Sequence, residues 1–286
     1  MGRYRVGVSI SLYDDFTENV KKAEDAGLES LDFDLCKFWP NREAEIKNYR
    51  LIGAGLETIA KCPLFFNGIH VSFGPNWDFS SLDEEKRRAA VKQTLDVFSR
   101  CDPYGPFCYI LHGSFEPIRP EDRQESVRRL KESLAELKAG TDTIICVETL
   151  PRTCLFNTAR EAARIADEVG GISLCIDVNH FLQEKTEDAI KHLGPRIRTT
   201  HISDHDYIDE RHWLPGEGRI DWQAVLKAFD EIGYEGVWNY EVNLGNCSTI
   251  VRPRALDYRD LRRNADELFA GKKPEPIGHP VEGIYK

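Results

Sequence analysis

Seven side chains able to bind a metal or move a proton stand at or just past the ends of short apolar runs: His70, His112, Glu148, Asp177, His180, His201 and Glu241. Five of them are carried by Cys146-Val147-Glu148-Thr149, Cys175-Ile176-Asp177-Val178-Asn179-His180, Thr199-Thr200-His201-Ile202-Ser203-Asp204 and Trp238-Asn239-Tyr240-Glu241-Val242. A single histidine at a strand end usually makes a structural hydrogen bond, and a single acid there usually caps a loop. So many at consecutive strand ends need another reason, because carboxylates and imidazoles buried together are unfavourable unless they pair or share a cation. The set points to one shared metal site.

Such a site needs a scaffold that brings every strand end to one place. From residue 5 onward, short β-like runs alternate with longer amphipathic stretches. Strands are expected at Arg5–Ser11, Ser30–Leu35, Asn67–Phe73, Cys108–His112, Thr143–Glu148, Ser173–Val178, Arg198–Ile202 and Gly236–Val242. In the second of these, Leu31, Phe33 and Leu35 face one way and Asp32 and Asp34 the other. Helices are expected at Phe16–Ala26, Arg42–Ala54, Asp83–Arg100, Pro120–Lys138, Thr158–Val169, Glu184–His192, Asp221–Ile232 and Tyr258–Ala270. Glycines punctuate several ends, among them Gly27, Gly55, Gly140 and Gly170. Eight strand–helix units match a (β/α)₈ TIM barrel, which typically takes ~250 residues and gathers its C-terminal strand ends into one mouth. A doubly wound open sheet would favour a Gly-rich loop after the first strand, and Ser9-Ile10-Ser11-Leu12 is not one. The expected organisation is a single α/β domain over residues 1–270, followed by an extended C-terminal tail over 271–286.

The 286-residue chain is 41% hydrophobic and 30% charged, with a net charge of -10. That balance disfavours nucleic acid as the main partner, since phosphate binding usually shows a basic face. Eight cysteines without a C-x-x-C pair read as buried free thiols in a reducing compartment. No run approaches the ~18 apolar residues of a membrane span. The amino terminus runs from Met1-Gly2-Arg3 straight into the first strand, without the apolar core of a signal peptide. A cytoplasmic protein without membrane attachment is expected, and its proline-bearing tail and apolar rim suit a homo-oligomer.

At the acidic strand ends the sequence resembles the xylose isomerase-like barrel superfamily of sugar and sugar-phosphate isomerases, ketose 3-epimerases and endonuclease IV. The resemblance spans almost the whole chain. It rests on Val147-Glu148-Thr149, Asp177-Val178-Asn179-His180, His201-Ile202-Ser203-Asp204 and Tyr240-Glu241. A further carrier, Leu214-Pro215-Gly216-Glu217-Gly218-Arg219-Ile220-Asp221-Trp222, is similar to the family's P-x-G-x-G-x-I-D-W loop. The resemblance implies that Glu148, Asp177, His201 and Glu241 hold one divalent metal. An oxygen-rich set of this kind suits Mn²⁺, Co²⁺ or Mg²⁺ and is compatible with Zn²⁺. It further implies that Glu148 and Glu241 act as an acid–base pair on a sugar or sugar phosphate, through a metal-stabilised enediolate. The small-molecule substrate would then be held by His70, His112 and His180, with Arg211 and His212 from the following loop. Trp39, Phe73, Trp77 and Phe115 are candidates to pack on a sugar face. Surface pairing is expected of Arg152, Arg211 and Arg254, with phosphate binding as the alternative.

Two other chemistries share the resemblance. Endonuclease IV uses a three-zinc set, and His70, His112, Glu148, Asp177, His180, His201, His212 and Glu241 fall on its matching positions. Glu210-Arg211-His212 stands where that family has Asp-Arg-His, and Gly7-Val8-Ser9-Ile10-Ser11 departs from its Gly-Ala-His-Val-Ser opening. The acidic loop Asp204–Glu210 would repel phosphate. Dehydratases of inositol derivatives or shikimate precursors share the single-metal set and differ in what leaves after the proton.

Overall fold

The computed structural model describes residues 4–13, 15–35, 42–282 and 284. Eight parallel strands form the barrel: β1 (Arg5–Ser11), β2 (Ser30–Asp34), β3 (Phe65–His70), β4 (Cys108–His112), β5 (Ile144–Glu148), β6 (Ser173–Asp177), β7 (Ile197–His201) and β8 (Val237–Tyr240). They hydrogen-bond in sequence order from β1 to β7, with β8 beside β1. The last seam closes through the Ile202–Tyr240 bridge, where Ile202 N donates to Asn239 O and Glu241 N to Ile202 O. Among the described residues, eight α-helices surround the strands: α1 (Phe16–Asp25), α2 (Arg42–Ile59), α3 (Glu84–Cys101), α4 (Arg123–Lys138), α5 (Ala159–Val169), α6 (Thr186–Leu193), α7 (Trp222–Glu231) and α8 (Tyr258–Phe269). The TIM barrel expected from the strand–helix cadence is the fold observed.

Local chemistry starts the helices where turns from the strands demand it. Asp83, Thr158 and Asp221 each accept a backbone N–H of the first turn, and Asp257 forms a reciprocal capping box with Asp260. Alternation along the strands divides the core in two. One set of residues packs outward under the helices. The other faces the barrel axis, where Cys108, Ile110, Cys146 and Cys175 form a small cluster below Glu148 and Asp177. Five of the cysteines are buried and none forms a disulfide among the described residues.

Three boundaries differ from the sequence expectation by three residues or more. Helix α2 continues through Gly55 to Ile59, because this glycine is a packing site: a Cβ there would stand 2.4 Å from the Phe33 ring. Strand β3 begins at Phe65 and ends at His70, two residues earlier than expected at its start and three at its end. Its pairing with β2 slips between Leu31 and Asp32, so Asn67 is the extra residue of a bulge. Helix α4 starts at Arg123, since Pro120 belongs to a preceding turn in which Arg123 N donates to the Pro120 carbonyl.

The chain beyond α8 is tied down along its described part. β10 (His279–Pro280) pairs antiparallel with β9 (Ile250–Val251) from the β8–α8 loop. Beneath this ribbon, Arg252 donates to both carboxylate oxygens of Glu217 at 2.9 and 2.7 Å, and both side chains are fully buried. Glu217 also accepts Leu214 N and Gly278 N. Removing one partner of such a pair leaves an uncompensated charge. Glu217→Ala is therefore expected to destabilise the chain by about 3–5 kcal/mol in a urea titration. A loss below about 1 kcal/mol, the range of exposed pairs, would mean that solvent reaches Arg252.

Candidate metal centre

Glu148, at the end of β5, lies at the middle of the mouth and is 1% exposed. Its Oε2 faces His70 Nε2 at 3.0 Å and His112 Nε2 at 3.2 Å. Its Oε1 faces His201 Nδ1 at 3.2 Å. Glu241, one residue past β8, brings its Oε2 to 2.8 Å from the same His201 nitrogen. Burial opposes the charge on both carboxyls, yet neighbouring histidines outweigh it and hold each well below the usual carboxylate range. Burial, joined by Glu241 and Glu148, pushes Asp177 up to about 6.

Backbone carbonyls orient three of the imidazoles. The Nδ1–H groups of His70, His180 and His212 donate to the carbonyls of Val71, Thr149 and Glu241, at 3.0, 2.7 and 3.1 Å. Each Nε2 is thereby left for the mouth. His180 Nε2 lies 3.1 Å from Glu210 Oε2 and 3.4 Å from Asp177 Oδ2. Burial works against a charged His180, but Asp177 and Glu210 raise it to about 10; Glu148 likewise brings His70 to about 9 against burial.

The donor set fits a divalent cation. One ligand atom each from Glu148, Asp177, His201 and Glu241 lies within 4.8 Å of the others. Around a cation with ligands at about 2.1 Å, octahedral neighbours stand about 3 Å apart, close to the 2.8 and 3.2 Å separations at His201 Nδ1. Asp177 Oδ2 and Glu241 Oε2 are buried without a hydrogen-bond partner among the described residues, which a cation would relieve. His70, His112 and Glu148 form a second such group, and Asp177, His180 and His212 a third.

Not every candidate meets at this centre. Arg211 turns away, with Nε 2.8 Å from buried Asp206 and the guanidinium over Trp213. Arg152 spans three loops, pairing with Glu116, Asp209 and Glu210, and Arg254 pairs with Asp260. Trp77 is buried in the core. Phe73 stacks on His112 with ring centroids 4.3 Å apart, while Phe115 is exposed at the rim. Trp39 lies outside the described residues. Asp204 is structural: it accepts Gly216 N, Ile220 N and Trp222 Nε1, so the Pro-Gly-Glu-Gly loop folds around it. A Cβ at Gly218 would meet Asp204 Oδ1 at 2.3 Å, so glycine is required there. Glu210 reads in sequence as a replacement and as the end of an acidic loop, and its contact with His180 depends on the loop's path. Asp34 reads in sequence only as part of the polar face of β2. With Ser9, Ser11, Asn243, His212 and Glu241 it lines a cavity of about 460 Å³ on the β1–β2–β8 side. A smaller cavity of about 200 Å³, reaching Phe73, His112, Glu148 and His180, opens on the other side.

A parallel barrel with a carboxylate–imidazole cluster at its C-terminal mouth defines the class. The xylose isomerase-like TIM barrel profile matches residues 20–267, and the chain belongs to that family. A D-psicose 3-epimerase from Ruminiclostridium cellulolyticum is 28% identical over 233 residues, 73% of this chain and 75% of that protein. A mannonate dehydratase from Brachyspira hyodysenteriae is 26% identical over 80% of each chain, and an inosose isomerase from Bacillus subtilis is 25% identical over 57% of this chain and 64% of its own. A 30% identical protein from Sinorhizobium fredii matches over 101 residues, and the chain spans only 32% of its length. Among solved structures, a D-tagatose 3-epimerase-like protein superposes with TM-score 0.76 at 19% identity, covering 93% of this chain and 97% of the other. At that identity the likeness shows the fold alone.

The Glu210–His180 contact makes stability depend on pH in two opposite ways. Glu210 is opposed by burial but held down to about 2 by His180 and Arg152. Relative to ~4.3 in the unfolded chain, its contribution is complete above the unfolded value and is lost as pH falls through about 2. His180, raised to about 10, contributes fully below ~6.5 and loses that contribution as pH rises. Denaturant titrations of chelator-treated protein should therefore show Glu210→Gln most destabilising at ~pH 4.5–6.5, with the difference from the parent shrinking on both sides. A difference that does not vary with pH would count against the pair.

Proposed function

We propose that the protein is a divalent-metal-dependent isomerase or epimerase of a sugar or related hydroxy-ketone. The observation that carries the reading is the convergence of Glu148 and Glu241, from strands β5 and β8, on the same nitrogen of His201 with Asp177 alongside. A bound divalent cation supplies Lewis acidity toward a carbonyl and its neighbouring hydroxyl. Glu148, Asp177, His201 and Glu241 would hold it. Glu241 is partly open to both cavities and exists as a carboxylate, so it can take a proton from the carbon beside a substrate carbonyl. Glu148 faces that space from β5 and can return a proton on the other side once it has taken one from the His70 imidazolium, whose Nε2 lies 3.0 Å from its Oε2. Glu241 then releases its own proton to solvent through the cavities. His112 and His180 border the smaller cavity, where they can hold substrate hydroxyls. The epimerase and isomerase relatives support this reading, and neither the substrate nor its phosphorylation is assigned.

A second reading, a multi-metal phosphodiesterase, is favoured by one observation: the His70–His112–Glu148 and Asp177–His180–His212 groups stand beside the first. The acidic rim of Glu116, Asp209 and Glu210, with Arg152 already paired to all three, weighs against a phosphate-bearing polymer.

Metal-loaded enzyme is expected to exchange a carbon-bound proton of a ketose into D₂O and to carry about one ion per chain by elemental analysis. Two or three zinc ions with incision of an abasic-site duplex would replace this reading with the second. Elimination of water in place of proton return would assign a dehydratase. Glu241→Gln should lower turnover by ~10²–10⁴ while keeping much of the substrate affinity; unchanged turnover would remove Glu241 from proton transfer.

A further inference from the structure

Deep in the barrel, below the carboxylate–imidazole cluster, Asp32 is completely buried. It belongs to the face of β2 that alternation turns away from Leu31, Phe33 and Leu35, and none of the chemistry above uses it. A buried carboxylate is unfavourable unless other groups compensate its charge. The surrounding chain is built to accept it. Asn67, the extra residue of the β3 bulge, donates from Nδ2 to Asp32 Oδ1 at 2.6 Å and to Thr199 Oγ1 at 2.9 Å. Thr199 follows a second slip in register, between β6 and β7. Bulges of this kind re-aim side chains near functional sites. Gly68, which pairs with Asp32, leaves the space open, since a Cβ there would come within 3.0 Å of Oδ1.

The other oxygen, Asp32 Oδ2, lies 3.5 Å from His201 Nε2. Both atoms are buried and neither completes a hydrogen bond among the described residues, so each is left facing the other; the Cys175 thiol also lies against His201. His201 Nδ1, on the opposite side of the ring, faces Glu148 and Glu241. His70, His180 and His212 have a ring nitrogen bonded to a backbone carbonyl. His201 instead has a side-chain carboxylate behind it.

We propose that Asp32 is a positioning residue that fixes the tautomer and orientation of His201. It accepts the proton of Nε2–H and so leaves the Nδ1 lone pair for the cation. A neutral imidazole carries one N–H. Without an acceptor behind the ring, that proton moves to Nδ1, where Glu148 and Glu241 both attract it and where it blocks metal ligation. A carboxylate behind a ligating imidazole also makes the ligand more basic. The inference rests on the metal reading of the Glu148–Asp177–His201–Glu241 set and extends it to a residue that touches neither cation nor substrate.

Asp32→Asn, which preserves the side-chain volume, tests it by calorimetric titration of the full-length apoprotein with Mn²⁺. Removing such a partner is expected to lower metal affinity about 10–100-fold, with far-UV circular dichroism unchanged. Long-range ¹H–¹⁵N spectra of the Mg²⁺-loaded parent, labelled at histidine, should show His201 protonated at Nε2. This second measurement does not require the variant to fold. Parental Mn²⁺ affinity in a folded Asp32→Asn, or a proton on Nδ1 in the loaded parent, overturns the role of Asp32 while leaving the metal site standing. A parent chain that binds no divalent cation overturns both.

Discussion

Burial of the Glu148 carboxylate is the constraint around which the site is arranged. A charged group 1% exposed at the mouth of a barrel needs compensation from every side. His70 and His112 face one of its oxygens and His201 the other. The contact with His70 in turn dictates how that ring must be held, and the Val71 carbonyl receives its other nitrogen, while the Thr149 and Glu241 carbonyls fix His180 and His212 alongside.

The rest of the rim keeps that arrangement in place. Asp204 gathers the loop after β7 through backbone and indole hydrogen bonds. Arg152 ties Glu116 on one loop to Asp209 and Glu210 on another, and Glu210 reaches His180. Arg152 and His212 both adopt positive φ, at 51°. For non-glycine residues this conformation is uncommon and is retained when surrounding contacts require it. The loops are therefore specified by polar contacts, while the barrel beneath them is specified by apolar packing.

Much of the fold was legible because its signals are local. Alternation marked the strands, and helix-capping acids and glycines marked many turns. The departures came from glycines and prolines whose roles are set at a distance. Gly55 reads as a helix stop but is a seat for Phe33 inside α2. Pro120 reads as a first helical residue but lies in a turn. The bulge at Asn67 has no periodicity of its own, so β3 was placed too far along the chain.

The sequence by itself determined that acids and histidines stand at consecutive strand ends, because residue type and strand period suffice for that. It also determined that Asp32 faces opposite to Leu31 and Phe33. Which nitrogen of each histidine faces the mouth was decided only by the tertiary structure, since the acceptors for His180, His212 and His201 lie far along the chain, and the ring of His70, bonded to the adjacent Val71 carbonyl, is aimed at Glu148 on another strand. The same holds for Arg211 and Arg152, both of which read in sequence as rim-loop arginines open to surface pairing or phosphate binding. Folding turns Arg211 onto Asp206 and Trp213 and makes Arg152 a bridge between loops. Pairing between loops depends on their paths through space, and no spacing within a single loop encodes those paths.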